Sequence, residues 1–389
     1  MQPLEGFRVL DLTHVLAGPC ATHHLRCMGA EVIKIERPGT GDPMRALGMQ
    51  PEFEGVPPGF RALNAGKKSV VIDLSMQKGR AEVLRLAESA HVFVENFRPG
   101  VAKRLGLGPE DLRAVRPDII YCSISGWGQS GPRSALGAYD HVIQAATGMM
   151  AMQGNQTDSA PMKVGFPVID IATGVSAAEA IMAALIRRLR GDTSPITLDV
   201  SMVDSALSLM SGPAASTLAS GKAPPRVGNR GFVGSPGAET FKTADGHISV
   251  AANTLGQFRT LCGLLGCSEL AAPPNIPGGL TDDAFLANAA TNDLRDRLSA
   301  AFGKLEADAL ETELNAAGVP AAKVRDLNAF LHEVYPQTPG IGVEGEPLAL
   351  GPAFRWQGEA PVALPAAPRL GADTEAVLAE QQPAKARRL

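Results

Sequence analysis

The sequence predicts an α/β protein with a larger doubly wound domain, whose sheet is parallel, and a smaller α+β domain. Three observations support this fold class. A chain of 389 residues is longer than one ordinary hydrophobic core requires. In its first half, short apolar runs alternate with amphipathic helical patterns, which is typical of a parallel sheet covered by helices. A stretch rich in Pro, Gly and basic residues at 219–236 then indicates a crossing between domains.

The first domain is predicted from strands and helices that alternate along the chain. The strands are 7–12, 31–35, 69–74, 91–95 and 119–125, and the helices between them are 20–28, 79–89 and 109–115. A longer Ala-rich helix is predicted at 171–190, followed by a strand at 196–200 and a helix at 201–219. Because parallel sheets bind ligands beyond the carboxyl ends of their strands, we expect the functional site in the loops that follow these strands.

The second domain begins with a hairpin predicted at 240–251, where Asp245-Gly246 supplies the turn. A helix-rich stretch at 255–330 completes it, and the Pro- and Ala-rich tail from about Leu348 is expected to return to the first domain. The expected limits are therefore 1–220 together with 330–389 for the large domain, and 225–329 for the small domain.

Composition argues against several kinds of partner. A net charge of −4 provides no broad cationic field for nucleic acid. The N-terminus lacks the features of a secretory signal and no run of about 18 apolar residues stands out, so we expect no membrane partner. The five cysteines form no CxxC pair, which predicts neither a zinc site nor a disulfide framework and favours the cytoplasm.

Two motifs favour a structural role. The GWGQSG segment at 126–131 contains a GxGxxG pattern, but Pro132 follows it where a dinucleotide-binding helix would have to begin. We therefore predict a glycine turn beside the site. His14, His23 and His24 lie close together in the sequence, but no carboxylate or cysteine completes a known metal-binding spacing, so no metal site is predicted.

Basic residues recur in the loops after the early strands, at Arg37, Arg98, Lys103 and Arg104. Guanidinium groups match phosphate oxygens, and a lysine adds a point charge. These residues indicate either a ligand with phosphate groups that lies across the loops or a set of solvated surface charges.

Asp170 lies between an apolar run at 164–169 and the Ala-rich helix. A carboxylate at a helix start is stabilised by free N–H groups and by the helix dipole, so a plain N-cap is the simplest interpretation. A carboxylate can also act as a covalent nucleophile. The residues alone leave both roles open.

Several segments, in order along nearly the whole chain, resemble family III CoA-transferases, a family also known after its carnitine and formyl-CoA members. The segments are LEGFRVLDLTHVLAGPCATHHLRCMGAEVIKIERPGTGDPMR (4–45), GKKSVVIDL (66–74), VENFRPGVAKRLGLG (94–108), SGWGQSGP (125–132), AYDHVIQAATGMM (138–150) and PVIDIATGVSAAEAI (167–181).

The resemblance implies a Rossmann-like large domain built from both chain ends, a small α+β domain and an interlocked homodimer. It implies an acyl-CoA and a small carboxylic acid as substrates, without a tightly bound cofactor or metal. It places the catalytic aspartate at Asp170. It also implies contacts to coenzyme A at nine positions, which are Leu16, Ala17, Arg37, Ile72, Asn96, Phe97, Arg98, Arg104 and Tyr139.

The implied chemistry is covalent catalysis. The Asp170 carboxylate attacks the acyl-CoA carbonyl to give a mixed anhydride, and the released CoA thiolate converts the anhydride into an aspartyl-CoA thioester. The second carboxylate then repeats these steps in reverse. The oxyanions need hydrogen-bond donors, and we expect them either at the helix start after Asp170 or in Gly234 to Gly237.

The chain departs from the formyl-CoA/oxalate member of the family at two places. Leu16 stands where that member has Gln, and its long glycine-rich loop is reduced to GSPG at 234–237. Both changes argue against oxalate and formate as the physiological pair.

Two rival functions remain after the resemblance is considered. A 2-methylacyl-CoA racemase has a GHD motif where this chain has Ala138-Tyr139-Asp140, and a tyrosine is poorly matched to two-base proton transfer near neutral pH. His141 follows two positions on, where we expect its side chain to point elsewhere on a helix. The second rival is a CoA-binding protein without catalysis.

Overall fold

Six parallel strands form the main sheet in the computed structural model of the chain. The structure describes residues 2–48, 55–155, 157, 160–231, 234–287, 289, 291–334, 351, 353–354, 356–358 and 364–380. The strands are β1 (Arg8–Asp11), β2 (Glu31–Glu36), β3 (Lys68–Val71), β4 (Val92–Glu95), β5 (Ile120–Ser125) and β6 (Ile196–Ser201). Their order across the sheet is β3-β2-β1-β4-β5-β6, which confirms the predicted doubly wound sheet.

Helices lie on both faces of this sheet because both faces of its strands are apolar. In β1, Val9 belongs to the core that includes Ala21 and Ile181, whereas the next residue, Leu10, belongs to the opposite core with Phe93. The helices of the described chain are α1 (Ala17–Cys27), α2 (Pro58–Asn64), α3 (Gln77–Ala87), α4 (Val101–Arg104), α5 (Pro109–Val115), α6 (Asp140–Ala146), α7 (Met149–Met152), α8 (Val168–Leu189), α9 (Met202–Leu209), α10 (Ser211–Ser220), α11 (Leu255–Leu264), α12 (Asn292–Phe302), α13 (Ala307–Ala316), α14 (Leu327–Ala329) and α15 (Thr374–Ala379).

A smaller antiparallel sheet has its own core. Its strands are β7 (Gly237–Lys242), β8 (His247–Ala252) and β9 (Ala321–Lys323). The pairing of β7 with β8 confirms the predicted hairpin. Apolar side chains of α11, α12 and α13 cover the sheet, among them Phe258, Leu298 and Leu310.

The chain divides into two compact units. One contains Met1–Met150, Lys163–Ala223 and Ile341–Leu389, and the other contains Ala151–Met162 and Pro224–Gly340. Within the first unit, described residues near the C-terminus bind the edge strand β3. The Ser69 N–H donates to Asp373 Oδ2 (2.8 Å), and the Val71 N–H donates to Thr374 Oγ1 (3.0 Å).

Three predicted helices differ from the observed ones by three residues or more, or in number. Helix α1 begins at Ala17, three residues before the predicted start. The Ala-rich helix, α8, begins at Val168, three residues earlier than expected. The helix predicted at 201–219 is two helices that meet at Met210, because Pro213 has no N–H to continue the hydrogen-bond ladder.

Helix α8 also has the length of a membrane span, with a mean hydropathy of 1.7 over its most apolar window, although the sequence prediction did not single it out. Its buried face lies in the core against α1, and the core helix of a folded domain has the same composition.

Candidate active site

The strand order creates a topological switch point between β1 and β4. The chain leaves β1 towards β2 on one side, while β4 pairs with β1 on the other side. Doubly wound sheets bind ligands in the crevice outside such a point. A cleft of about 400 Å³ opens there, and its lining includes Leu12, His14, Arg37, Ile72, Phe97 and Leu105.

The lining of this cleft combines one cation, three carboxylates and apolar walls. Glu36 is paired with Arg45, Asp42 is paired with Lys34, and Asp73 accepts a hydrogen bond from Ser75. Arg37 is the one lysine or arginine among the described residues that line the cleft. Its Nε donates to Thr40 Oγ1 (3.0 Å), and the guanidinium is exposed. Ile72 and Phe97 add apolar surface. This arrangement suits a ligand that has an anionic group and an apolar or aromatic part.

The cleft is not arranged as a dinucleotide site. An acidic residue at the end of β2 would have to bind the ribose there. Glu36 occupies that place, but Arg45 binds it through Nε (2.7 Å), and Ser69 Oγ donates to it (2.6 Å). The glycine-rich segment at 126–131 follows β5, and helix α6 begins only at Asp140, as the predicted glycine turn requires.

The loop between β1 and α1 forms one wall of the cleft and is held by hydrogen bonds from the side chains of Asn96 and Asp42. The Asn96 side chain makes two hydrogen bonds to the backbone of His14. Its Oδ1 accepts the His14 N–H (3.0 Å), and its Nδ2 donates to the His14 carbonyl (2.8 Å). The next residue, Val15, has a φ of +69° and donates its N–H to Asp42 Oδ1 (3.1 Å). A β-branched residue is strained in this left-handed region, so the surrounding bonds must maintain the conformation.

Asp170 is not the N-cap of α8. The helix begins at Val168 after Pro167, so Asp170 is its third residue. The cap comes from another helix, because Asp140 Oδ2 accepts the N–H groups of Ile169 (2.7 Å) and Asp170 (3.1 Å). No described residue donates a hydrogen bond to the Asp170 carboxylate.

The other N–H groups of this first turn are also engaged. Val168 donates to the Phe166 carbonyl (2.8 Å), and Ile171 donates to the Pro167 carbonyl (3.2 Å). The expected oxyanion donors at the helix start are therefore already used within the chain. The alternative source in Gly234 to Gly237 stays a prediction.

The electrostatic environment of Asp170 favours the neutral carboxylic acid. Burial, followed by the negative charge of Asp140, raises the pKa of Asp170 to about 7. No cation contributes to this shift. Near neutral pH the side chain is thus divided between its acid and carboxylate forms, and its carboxylate is more basic than an ordinary aspartate.

Helix α1 passes very close to α8 beside Asp170. A Cβ atom added to Gly174 would lie 2.6 Å from the Cβ of Cys20 and 2.7 Å from the carbonyl oxygen of Ala17. Glycine is therefore required at this crossing. The contact brings the start of α1, with Leu16 as its N-terminal flanking residue, next to the start of α8.

The nine predicted contact positions are distributed over several parts of this region. Arg37, Ile72 and Phe97 line the cleft, whereas the remaining six do not. Leu16 and Ala17 begin α1, and Asn96 holds the loop before it. The other three have exposed side chains, namely Arg98, Arg104 and Tyr139.

Sequence reasoning missed Asp140 and Gln144 and misplaced His141. The aspartate and glutamine lie four residues apart in α6, a spacing that places two side chains on one helix face and could have identified them. The rings of Tyr139 and His141 lie parallel with centroids 6.4 Å apart, contrary to expectation, because Tyr139 is extended and precedes the helix. Asp140, and not His141, reaches α8.

The three N-terminal histidines are not gathered as metal ligands. No cluster of three or more His, Cys, Asp or Glu suited to a metal occurs in the described part of the chain. Burial lowers the pKa of His14 and of His24, and the Nε2 of His23 lies 3.4 Å from the Cys27 Sγ.

The structure is thus a doubly wound α/β protein with a cleft at its switch point and, at the start of α8, a carboxylate that accepts no hydrogen bond from the described residues. The sequence model of CoA-transferase family III matches residues 4–374. The chain therefore belongs to this family and is a CoA-transferase, an enzyme that acts between an acyl-CoA and a carboxylate.

Relatives and solved structures agree with this assignment. The chain is 37% identical over 352 residues to the succinate–glutarate CoA-transferase of Agrobacterium fabrum, covering 88% of this chain and 85% of the relative. It is 37% identical over 330 residues to the acetyl-CoA:oxalate CoA-transferase of Acetobacter aceti, covering 84% and 81%. The crystal structure of a CaiB/BaiF family protein from Brucella suis superposes with a TM-score of 0.83 at 31% identity, covering 97% and 98%.

Proposed function

We propose that the chain transfers CoA from an acyl-CoA to a dicarboxylic acid through covalent intermediates on Asp170. The observation that carries the proposal is the state of this side chain, which is half-buried, accepts no hydrogen bond from the described residues and has a pKa of about 7. A carboxylate of raised basicity that no cation neutralises is a suitable nucleophile for a thioester.

The reaction balances without an added acid or base. A carboxylate oxygen of Asp170 attacks the acyl carbonyl of the acyl-CoA. The carbon–sulfur bond breaks, which releases the CoA thiolate and forms an acyl-aspartyl anhydride. The thiolate then attacks the aspartyl carbonyl and releases the first acid as its carboxylate. The second carboxylate attacks the aspartyl-CoA thioester, and the thiolate returns to the new acyl carbon, which regenerates Asp170.

The cleft at the switch point is the proposed binding site for the CoA nucleotide. Arg37 provides a guanidinium for phosphate, and Ile72 and Phe97 provide apolar surface for the base or the pantetheine arm. Arg98 and Arg104 are exposed cations in the loop and helix after β4, where they can meet further phosphate oxygens. Leu16, Ala17, Asn96 and Tyr139 complete the proposed set of contacts.

The choice of acid follows from the names of the relatives. Succinate, glutarate and oxalate, which appear in those names, are all dicarboxylates. Leu16 in place of Gln argues against oxalate with formate as the physiological pair, so we expect succinate or glutarate to be the better substrate. Specificity of this kind depends on a few pocket groups.

A homodimer in the cytoplasm is the proposed state of the enzyme. Helix α10 buries none of its residues, and Leu218 on it is 87% exposed. Leu209 on α9 and Leu189 on α8 are also exposed, and exposed leucines on these three helices support a protein partner. All five cysteines are unpaired, as in a reducing compartment. The expected domain limits, 1–220 with 330–389 and 225–329, belong to the same proposal.

The test is to incubate the protein with succinyl-CoA or acetyl-CoA and a panel of acids that includes glutarate and oxalate. New CoA thioesters are identified by mass spectrometry, and the peptide that contains Asp170 is examined for a covalent CoA adduct. Asp170→Ala is the test variant, and Asp204→Ala, which changes an aspartate in the first turn of α9, is the control.

We expect a new thioester with the wild type and with Asp204→Ala, and loss of at least a thousandfold in rate with Asp170→Ala. Full activity of Asp170→Ala would overturn the proposed mechanism. Binding of CoA without turnover on any acid would support the non-catalytic alternative, and deuterium uptake into 2-methylacyl-CoA in heavy water would support a racemase.

A further inference from the structure

The start of α8 is held by a hydrogen-bonded group from α6. Asp140 Oδ2 accepts two N–H groups of α8, from Ile169 and Asp170, and its Oδ1 accepts from Gln144 Nε2. Gln144 Oε1 in turn accepts the N–H of Val164 (2.9 Å). Both side chains are buried, Asp140 at 8% and Gln144 at 0% exposure. One turn of α6 therefore fixes both ends of the segment 164–170.

This arrangement changes what the Asp170 side chain can do. A carboxylate in the first turn of a helix can accept free N–H groups of that turn, which would lower its pKa and occupy its oxygens. The usual partner of the third residue, the N–H of the N-cap residue, does not exist here because that residue is Pro167. Asp140 and the two nearby carbonyls already use the N–H groups of residues 168–171. The Asp170 carboxylate is thereby left without a partner among the described residues, although it lies at a helix start.

We propose that Asp140 is a positioning residue for the transfer reaction, which caps α8 in place of Asp170 and so keeps the Asp170 carboxylate free of hydrogen bonds for attack on the thioester. This inference rests on the proposed role of Asp170 as nucleophile. Gln144 supports it by orienting the Asp140 carboxylate.

Burial contributes most to the raised pKa of Asp170, and Asp140 is the one charged group among the described residues that adds to it. From α1, the Cys20 thiol faces Asp170, but burial raises the pKa of Cys20 to about 11, so this thiol is neutral. The other elements packed on α8 contribute Asp204 from α9, Cys122 from β5 and Asp199 from β6. None of these acts on Asp170. His141 of α6 and Glu179 of α8 itself do not act on it either.

The direction in which Asp140→Asn changes the pKa of Asp170 follows from the charges. Replacing Asp140 with Asn retains an amide oxygen that can accept the two N–H groups but removes the like charge, so the pKa of Asp170 falls. The acid limb of the profile of kcat/KM against pH then moves to lower pH. The plateau value of kcat decreases because the less basic carboxylate is a weaker nucleophile.

The experiment compares wild type, Asp140→Asn and the matched control Asp204→Asn. We expect Asp140→Asn to shift the acid limb down by about one pH unit and to lower the plateau kcat by about threefold to tenfold, with KM for acyl-CoA within about twofold of wild type. Asp204→Asn should leave the acid limb of the kcat/KM profile at the same pH as in the wild type. A role in folding alone would lower the amount of active protein without moving the limb.

A second measurement needs no turnover. The carboxyl carbon of Asp170 is followed by NMR in ¹³C-aspartate protein, assigned with Asp170→Asn, as the pH is varied. We expect a midpoint near 7 in the wild type and a midpoint at least one unit lower in Asp140→Asn. An unchanged midpoint overturns the inference even if the enzyme is active, whereas a shifted midpoint in a protein without transfer activity counts against the proposed function alone.

Discussion

At the scale of single residues, the properties of Asp170 arise from a conflict between two rules. A helix start attracts negative charge, yet burial and the neighbouring Asp140 make this carboxylate costly to ionise. Asp140 takes the capping role and Asp170 keeps a pKa of about 7. A group of this kind reduces the stability of the folded state when it is charged, which is common at catalytic sites.

The cost of ionising Asp170 predicts a stability change that depends on pH. Its folded pKa is raised from an ordinary value near 3.8 to about 7, so its unfavourable contribution develops as pH rises between these values and is complete above 7. We expect Asp170→Asn to raise the free energy of unfolding by about 1–2 kcal/mol at pH 8, because solvent reduces the full effect, and by less at pH 5. Urea denaturation at both pH values measures the difference. A gain that is equal at both pH values would contradict this account.

At the scale of elements, the site depends on how closely helices and loops approach each other. Gly174 permits α1 to lie against α8, and the strained Val15 directs the chain from β1 into α1. Asn96 and Asp42 hold that loop from two different strand ends. The geometry around Asp170 thus comes from segments that are distant in sequence.

Two helical glycines test the importance of the α1–α8 contact. Gly174→Ala places a methyl group against Cys20 and the carbonyl of Ala17, so we expect a loss of about 1–3 kcal/mol in stability and at least a tenfold lower kcat. Gly263→Ala, in α11, meets a single atom, Ser268 Oγ at 4.0 Å, and should be neutral or stabilising by up to about 1 kcal/mol. Thermal unfolding and transferase assays compare them. Similar behaviour of the two variants would show that the close approach is unimportant.

At the scale of the whole molecule, the first unit exposes apolar residues on α8, α9 and α10 that its own core does not cover. Burial of such surface is the dominant driving force for association. The sequence supplied no pattern for this surface, because exposed and core leucines share the same helical spacing. The homodimer that the family resemblance implies would account for it.

The dimer predicts a particle of twice the 40.5 kDa chain mass in light scattering. Leu218→Asp should weaken the dimer by at least tenfold in dissociation constant while the circular dichroism spectrum stays unchanged, because this side chain is 87% exposed within the chain. Met76→Asp, at an exposed apolar position on α3's N-terminal flank, is the control. A wild-type protein that is monomeric at micromolar concentration would refute the prediction.

Much of the fold could be predicted from local patterns. Short apolar runs identified all six parallel strands, because burial on both faces makes a strand apolar throughout, and the Asp-Gly turn between two runs identified the hairpin. Helix limits were less certain. The first turn of α8 was missed since Pro167 and Val168 carry no local capping signal, and the break at Met210 depended on Pro213.

The fold class could be predicted from residue identity and near neighbours, and so could the family, whose motifs place the candidate nucleophile at Asp170. Only the tertiary structure decided that Asp170 does not cap its own helix, that Asp140 does so from thirty positions away, and that Glu36 is occupied by Arg45. Hydrogen bonds and electric fields act through space over a few ångströms. Their effects therefore become visible only when the chain has brought distant residues together.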